Sequence, residues 1–277
     1  MSWQTFGHRH VKAVLEKQLE TGQLAQAYLF LGPEGLGKKL LALELAQKTL
    51  EVNQLETHPD FTFFSNGQSD IAVEEVRRLI SELSTKPFFG KRKVVVIDNA
   101  QNLNASGSNA LLKTLEEPGV STVIILVADR KPLPTIVSRC QVFRFNPLSV
   151  AELAAFAKEK KLAAGKELLD LSFGSPARLA KLSADAGFLT AEHEALAKFS
   201  ELMALSRGER LVKVGEFAAY EPEALAGLFF TWMMHALSRL GENPGLAQAV
   251  AGLQEAMWQL RTNKNKKLIL QGVFLKI

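Results

Sequence analysis

Five short apolar runs, at residues 28–31, 61–65, 94–97, 122–127 and 141–145, punctuate the first half of the chain. Runs of this length, rich in β-branched and aromatic side chains, predict strands buried on both faces. Between them lie stretches of helical periodicity. Val73, Val76, Ile80 and Leu83 recur at helical spacing ahead of Pro87, and Leu40, Leu41, Leu43, Leu45 and Ala46 sit among good helix formers. Strand and helix in alternation predict an α/β core, a parallel sheet with helices on both faces.

After Asn146-Pro147 the strand signals vanish and Ala, Leu, Glu and Lys dominate. Ser149 followed three residues later by Glu152 has capping-box spacing and predicts a helix across 151–160. A short helical unit continues to about residue 181, and Ala184-Asp185-Ala186-Gly187-Phe188 reads as a linker. Beyond it, 191–203, 210–218, 224–240, 245–260 and 265–275 read as helices of a bundle. The predicted division is a core at 1–147, a small helical unit at 148–186 and an all-α block at 187–277. Trp232, Met233, Met234 and Trp258 fall at helical spacing and read as core or inter-subunit packing rather than a ligand box.

Directly after the first strand, residues 32 to 39 read Gly-Pro-Glu-Gly-Leu-Gly-Lys-Lys. Glycines at Gly32, Gly35 and Gly37 let backbone N–H groups close around phosphates, and Lys38 is placed to reach the outer ones. The pattern then calls for Ser or Thr to ligate magnesium, and Lys39 stands there instead. An ammonium group cannot coordinate a cation and repels it. The run 94–97 ends in Asp98, the position of a magnesium-holding carboxylate, but the next residue is Asn99, which cannot serve as a base. Both parts of the site depart toward inactivity. The glycines and Lys38 still allow weak ATP or ADP binding, with no cofactor required.

Composition narrows the remainder. A 47% hydrophobic content and mean hydropathy of +0.04 over 277 residues describe a folded chain with sizeable cores. No apolar run reaches a membrane span, and the N-terminus lacks the pattern of a secretory signal, so a cytoplasmic location and no membrane partner are expected. The single Cys140 excludes an intramolecular disulfide and any Cys-clustered zinc site. His8 and His10 read as ordinary surface residues rather than metal ligands. The net charge of +4, from 33 basic and 29 acidic residues, is too mild to establish a nucleic-acid partner. The basic run Arg261, Lys264, Lys266, Lys267 reads as solvated charge rather than a DNA contact.

Ser108-Asn109-Ala110-Leu111-Leu112-Lys113-Thr114-Leu115-Glu116-Glu117-Pro118, followed by Ser138-Arg139-Cys140, closely resembles the AAA+ clamp-loader family. Tyr28-Leu29-Phe30, His58-Pro59-Asp60, Gly174-Ser175-Pro176-Ala177-Arg178 and Asn263-Lys264-Asn265-Lys266-Lys267-Leu268 extend the resemblance over nearly the whole chain. The resemblance implies a nucleotide-binding-like core, a helical lid and a collar that packs with four other subunits in a ring. It further implies gamma or tau and delta subunits as partners, with a sliding clamp and primed DNA reached through the complex. By the same resemblance, Arg139 is an arginine finger inserted into a neighbouring subunit's ATP site, and Arg178 belongs to the second sensor of a degenerate nucleotide site.

The departures are equally specific. The zinc module of many family members is absent between the loop helix and the second strand, where only Leu50 to Thr57 stand, so no zinc is expected. After the run 122–127 come Ala128-Asp129-Arg130, without the Asn or Thr usual in active ATPases. Gln26 replaces a His frequent in the family. The first reading is a catalytically silent clamp-loader subunit. Its alternatives are an active ATP-hydrolysing subunit of the gamma/tau type and a stand-alone nucleotide- or DNA-binding protein.

Overall fold

The five apolar runs become the strands of one all-parallel sheet: β1 (Ala27–Leu31), β2 (Phe61–Phe64), β3 (Lys93–Ile97), β4 (Thr122–Ala128) and β5 (Gln141–Arg144), ordered β2-β3-β4-β1-β5. The computed structural model describes residues 2–65, 73–83, 85–116, 121–241, 243–260 and 265–277. It resolves into two units: Met1–Lys160 with Gly174–Ala177, and Lys161–Phe173 with Arg178–Ile277.

In the first unit the strand period of two sorts side chains onto opposite faces. Tyr28, Phe30, Val94, Val96, Val123 and Ile125 meet Val11 and Leu15 of α1 (Arg9–Thr21) and Leu41, Leu45 and Ala46 of α2 (Lys38–Leu50). Leu29, Val95, Ile97, Ile124 and Leu126 face Val76, Leu79 and Leu83 of α3 (Val73–Leu83) and Leu111 and Leu115 of α4 (Ala105–Glu116). Both faces are therefore covered, which is why β1, β3 and β4 are buried at every position. A four-residue helix, α5 (Pro134–Val137), leads into β5, and α6 (Val150–Lys160) follows. The Ser149–Glu152 capping box opens α6: Ser149 N donates to Glu152 Oε2 at 2.9 Å and Glu152 N to Ser149 Oγ at 3.3 Å.

The second unit is all helical, with α7 (Lys166–Leu171), α8 (Pro176–Ala184, of which 178 onward lies here), α9 (Ala186–Ala204), α10 (Arg207–Phe217), α11 (Pro222–Ser238), α12 (Leu246–Leu260) and α13 (Lys266–Lys276). Trp232 is wholly buried at its centre, against Phe199, Phe217 and Phe229, with its indole N–H donating to Ala195 O at 2.6 Å. Met234 is buried too, whereas Trp258 lies at the surface.

The expected linker at 184–188 is corrected. Asp185 is an N-cap whose carboxylate accepts from Phe188 N at 2.9 Å, so α9 begins at Ala186 with no intervening loop. Ser206, with Glu209 completing a capping box, likewise starts α10 at Arg207 rather than residue 210.

One loop of the first unit is built around a carboxylate. Asp60, buried just before β2, accepts from the N–H groups of Phe88 (2.6 Å), Phe89 (2.9 Å) and Gly90 (3.0 Å). The loop so held presents Phe88 and Phe89 to solvent, 76% and 82% exposed. Burial pushes the Asp60 pKa up, but the three N–H donors, with His58 nearby, outweigh it and hold the carboxyl below its ordinary value. A carboxylate with a depressed folded-state pKa stabilises the fold fully above its unfolded pKa, and loses that contribution as pH falls through the folded value. Asp60→Ala is expected to destabilise the first unit by about 2–3 kcal/mol, the order of lost charge-assisted hydrogen bonds whose donors can turn to water. Denaturant unfolding at pH 7 and in acid checks this: the difference between wild type and variant should shrink as pH drops below about 4. An unchanged difference across that range would mean that the carboxylate charge does not hold the loop.

Candidate functional site

The glycine-rich loop leaves the carboxyl end of β1, the edge at which parallel sheets bind ligands. Gly32 N donates to Ala128 O at 3.2 Å, and a Cβ at Gly32 would lie 2.2 Å from Phe145 O. Gly35 (φ 80°) and Gly37 (φ 84°) occupy the left-handed region, and Gly37 is the N-cap of α2. The loop is tied down from two sides. Gly35 O accepts from Ser175 Oγ at 3.1 Å and Ala177 N at 3.3 Å, and Leu36 O lies 2.9 Å from His8 Nε2. Burial lowers the His8 pKa, which favours the neutral ring against Phe145.

Both loop lysines are engaged by carboxylates from neighbouring strand ends. Lys38, only 4% exposed, donates to Asp129 Oδ1 at 2.9 Å and to Pro33 O at 2.6 Å. Lys39, 52% exposed, lies 3.3 Å from Asp98 Oδ2 and over the Phe63 ring. Asp98 Oδ1 accepts from Asn99 N at 3.0 Å. Asn99 adopts a left-handed φ of 56° and accepts from Gln101, whose Oε1 in turn takes the N–H of Asp129 at 3.1 Å. One network thus joins the ends of β3 and β4 to the start of α2.

This arrangement does not fit a magnesium–nucleotide complex. The cation ligand expected after Lys38 is an ammonium, and that ammonium already neutralises the carboxylate that would share the metal. Asp129, which in the sequence registers only as a departure from the Asn or Thr of active ATPases, is the principal partner of Lys38. Its carboxylate takes one of the three ammonium donors and Pro33 O a second, and a phosphate would compete with that carboxylate for the lysine charge.

Gly32, Gly35, Gly37, Lys38, Lys39 and Asp98 are therefore brought together. Arg178 has its own partners in the second unit. Its guanidinium pairs with Glu192, donates to Thr231 Oγ1 at 3.2 Å and to Leu171 O at 2.9 Å, and lies against the rings of Phe173, Phe188 and Phe230. Burial pulls its pKa down, opposed by Glu192. The segment that holds the loop is Gly174–Ala177, one residue short of Arg178.

Arg139 follows α5 and is 30% exposed. Its Nε donates to Glu116 Oε1 at 2.8 Å, its Nη2 pairs with the same oxygen, and its Nη1 donates to Thr135 O at 2.9 Å and Ser138 Oγ at 3.3 Å. Cys140 beside it is half-buried, and burial pushes its thiol up to about 12, which favours the protonated form. Lys266 donates to Tyr220 O at 2.7 Å, a structural contact in the basic run. Arg261, Asn263, Lys264, Glu117 and Pro118 lie outside the described residues. Among the described residues, no cluster of three or more His, Cys, Asp or Glu could hold a metal ion, and no helix is long and apolar enough to cross a membrane.

Comparison with known proteins gives the family of the chain. Over 179 residues the chain is 36% identical to the DNA polymerase III subunit delta' of Pseudomonas aeruginosa, covering 56% of this chain and 54% of that protein. It is 31% identical over 155 residues to the delta' subunit of Bacillus subtilis, covering 50% and 47%. A tau/gamma subunit from Haemophilus influenzae matches at 32% over 165 residues, covering 53% and 24%. The chain thus spans about half the length, or less, of these curated relatives. Among solved structures, a DNA polymerase III gamma subunit-related protein from Thermotoga maritima superposes with a TM-score of 0.51 at 19% identity, covering 94% of this chain and 97% of that one, a likeness of fold. That fold is the AAA+ P-loop core followed by helices. The family model described as "DNA polymerase III, delta subunit" matches residues 7–149, which include the whole sheet, the glycine loop and Arg139. Because that match takes in just over half of the chain, the protein belongs to the DNA polymerase III delta-subunit family.

Proposed function

We propose that this protein is a non-hydrolysing AAA+ subunit of the bacterial clamp loader, of the delta-prime type. It stabilises a pentamer with gamma or tau and delta subunits and supplies Arg139 in trans to a neighbour's ATP site. Through the complex, a sliding clamp is placed on primed DNA in the cytoplasm. The division into core (1–147), lid (148–186) and collar (187–277) belongs to the same proposal, and the reading requires neither zinc nor a bound nucleotide.

The observation that carries it is the Lys39–Asp98 pair at 3.3 Å. It puts a positive charge beside the carboxylate that a magnesium ion would need. Asn99 follows where a general base would stand, which weighs against an active gamma/tau-type enzyme. The curated relatives, named as subunits of DNA polymerase III, weigh against a stand-alone binding protein.

Three outcomes are expected. The isolated protein should hydrolyse ATP no faster than a buffer blank, and Lys39→Thr, which removes the ammonium and restores a hydroxyl, should raise its magnesium-dependent ATP affinity in titration calorimetry. Turnover by the wild type that disappears on Lys38→Ala, or tight magnesium-dependent binding without the substitution, would overturn the silent-site reading. In the assembled loader, Arg139→Ala should preserve folding and assembly yet reduce DNA- and clamp-stimulated ATPase. A finger in trans contributes about three to five orders of magnitude at the one site that it serves, so total hydrolysis falls in part and clamp loading falls further. Retained assembly with unchanged ATPase and loading excludes the finger.

A further inference from the structure

We propose that Glu116 is a positioning residue that parks Arg139, holding its recognition edge occupied until a neighbouring polyphosphate displaces the carboxylate. The inference rests on the trans role of Arg139 proposed above. A guanidinium recognises phosphate best along one edge, where two parallel N–H groups meet oxygen acceptors. In Arg139 the Nε/Nη2 edge is the one taken by Glu116, with both nitrogens on Oε1, while Nη1 is anchored to Thr135 O and Ser138 Oγ. The two sets of partners differ in kind. Thr135 and Ser138 belong to the short segment that carries Arg139 and move with it, whereas Glu116 projects from the last turn of α4, a separate element.

Three features make the carboxylate exchangeable. Arg139 is 30% exposed and Glu116 48% exposed, so water and salt compete for the pair and its hold is weak. A polyphosphate carries more charge than a carboxylate and can meet the same edge. Glu116 also stands at the end of α4 where carbonyl dipoles disfavour negative charge, so it contributes little to its own helix and its favourable interaction is with Arg139. The latch is remote from the degenerate loop: α4 starts shortly after Asp98, and its 12 residues carry Glu116 about 18 Å along the helix. While paired, Arg139 is charge-compensated and contributes less field at a neighbour's phosphate. Its contribution scales with the fraction of time that it is released.

The test uses the fully assembled loader carrying Glu116→Gln in this subunit. DNA-independent ATP turnover is expected to rise about two- to five-fold, the factor associated with losing an exposed ion pair. Glu116→Asp, which keeps the charge, should give a smaller rise. The Glu116→Gln rise should diminish at high salt, where the wild-type pair is already screened. In an Arg139→Ala background, Glu116→Gln should add nothing, and the melting transition of each variant should stay near that of the wild type. If Arg139→Ala lowers stimulated turnover but Glu116→Gln leaves DNA-independent turnover unchanged, or lowers it, the latch is overturned while the finger stands. A rise that persists without Arg139 also overturns the latch. If neither variant alters turnover or loading, the finger reading fails and the latch with it.

Discussion

The start of α2 carries two adjacent ammonium groups at the positive end of a helix, and their compensation sets the terms for the whole sheet edge. The first turn of α2 contains no acidic residue of its own. Lys38 is buried as well, and an unpaired buried ammonium would cost several kcal/mol, on the order of what stabilises a domain. The remedy comes from strand order. Because β4 lies beside β1 and β3 beside β4, the residues that follow those strands, Asp129 and Asp98, arrive next to Lys38 and Lys39. Gln101 and Asn99 then join the two carboxylate-bearing turns. Each loop ammonium is thus paired with a carboxylate from an adjacent strand end.

The same economy of partners recurs elsewhere. Asp60 satisfies three loop N–H groups, Glu44 accepts from Gln4 and Thr5 to fasten the N-terminal segment to α2, and Glu192 pairs with Arg178 inside the second unit. In each case a carboxylate with little exposure is paired or multiply hydrogen-bonded, as burial of charge requires. For Arg178 the result is a guanidinium whose Nε and Nη2 are engaged by Leu171, Glu192 and Thr231, with three aromatic rings against it.

What could be read from the sequence was local. The strands were legible because burial on both faces leaves uninterrupted apolar runs, and the Ser149–Glu152 box because its partners are three residues apart. The starts of α9 and α10 were read several residues late, since both helices begin at caps, Asp185 and Ser206, ahead of the apolar pattern. Ala184 to Phe188 looked like a linker because Asp and Gly favour turns, yet the same Asp makes an effective N-cap. At the candidate site the glycines, both lysines and Asp98 were legible as a motif. Asp129 was not recognised as a partner, because it lies 91 residues from Lys38 and only the parallel sheet brings them together. Glu116, 23 residues from Arg139, and Glu192, 14 from Arg178, are likewise beyond local spacing and are brought to their partners only by the packing of separate elements.

The glycines of the loop have a further implication for how such motifs are interpreted. At Gly32 a side chain would collide with the backbone of Phe145, and at Gly35 the left-handed φ of 80° would strain any side chain, quite apart from any phosphate. Any sequence that follows this backbone path must keep glycine there, whether or not it has ever met a nucleotide. A pattern search that scores the glycines is therefore measuring chain geometry. The capacity for metal chemistry is written elsewhere, in the residue after the first lysine and in the residues that end the third strand, here Lys39, Asp98 and Asn99.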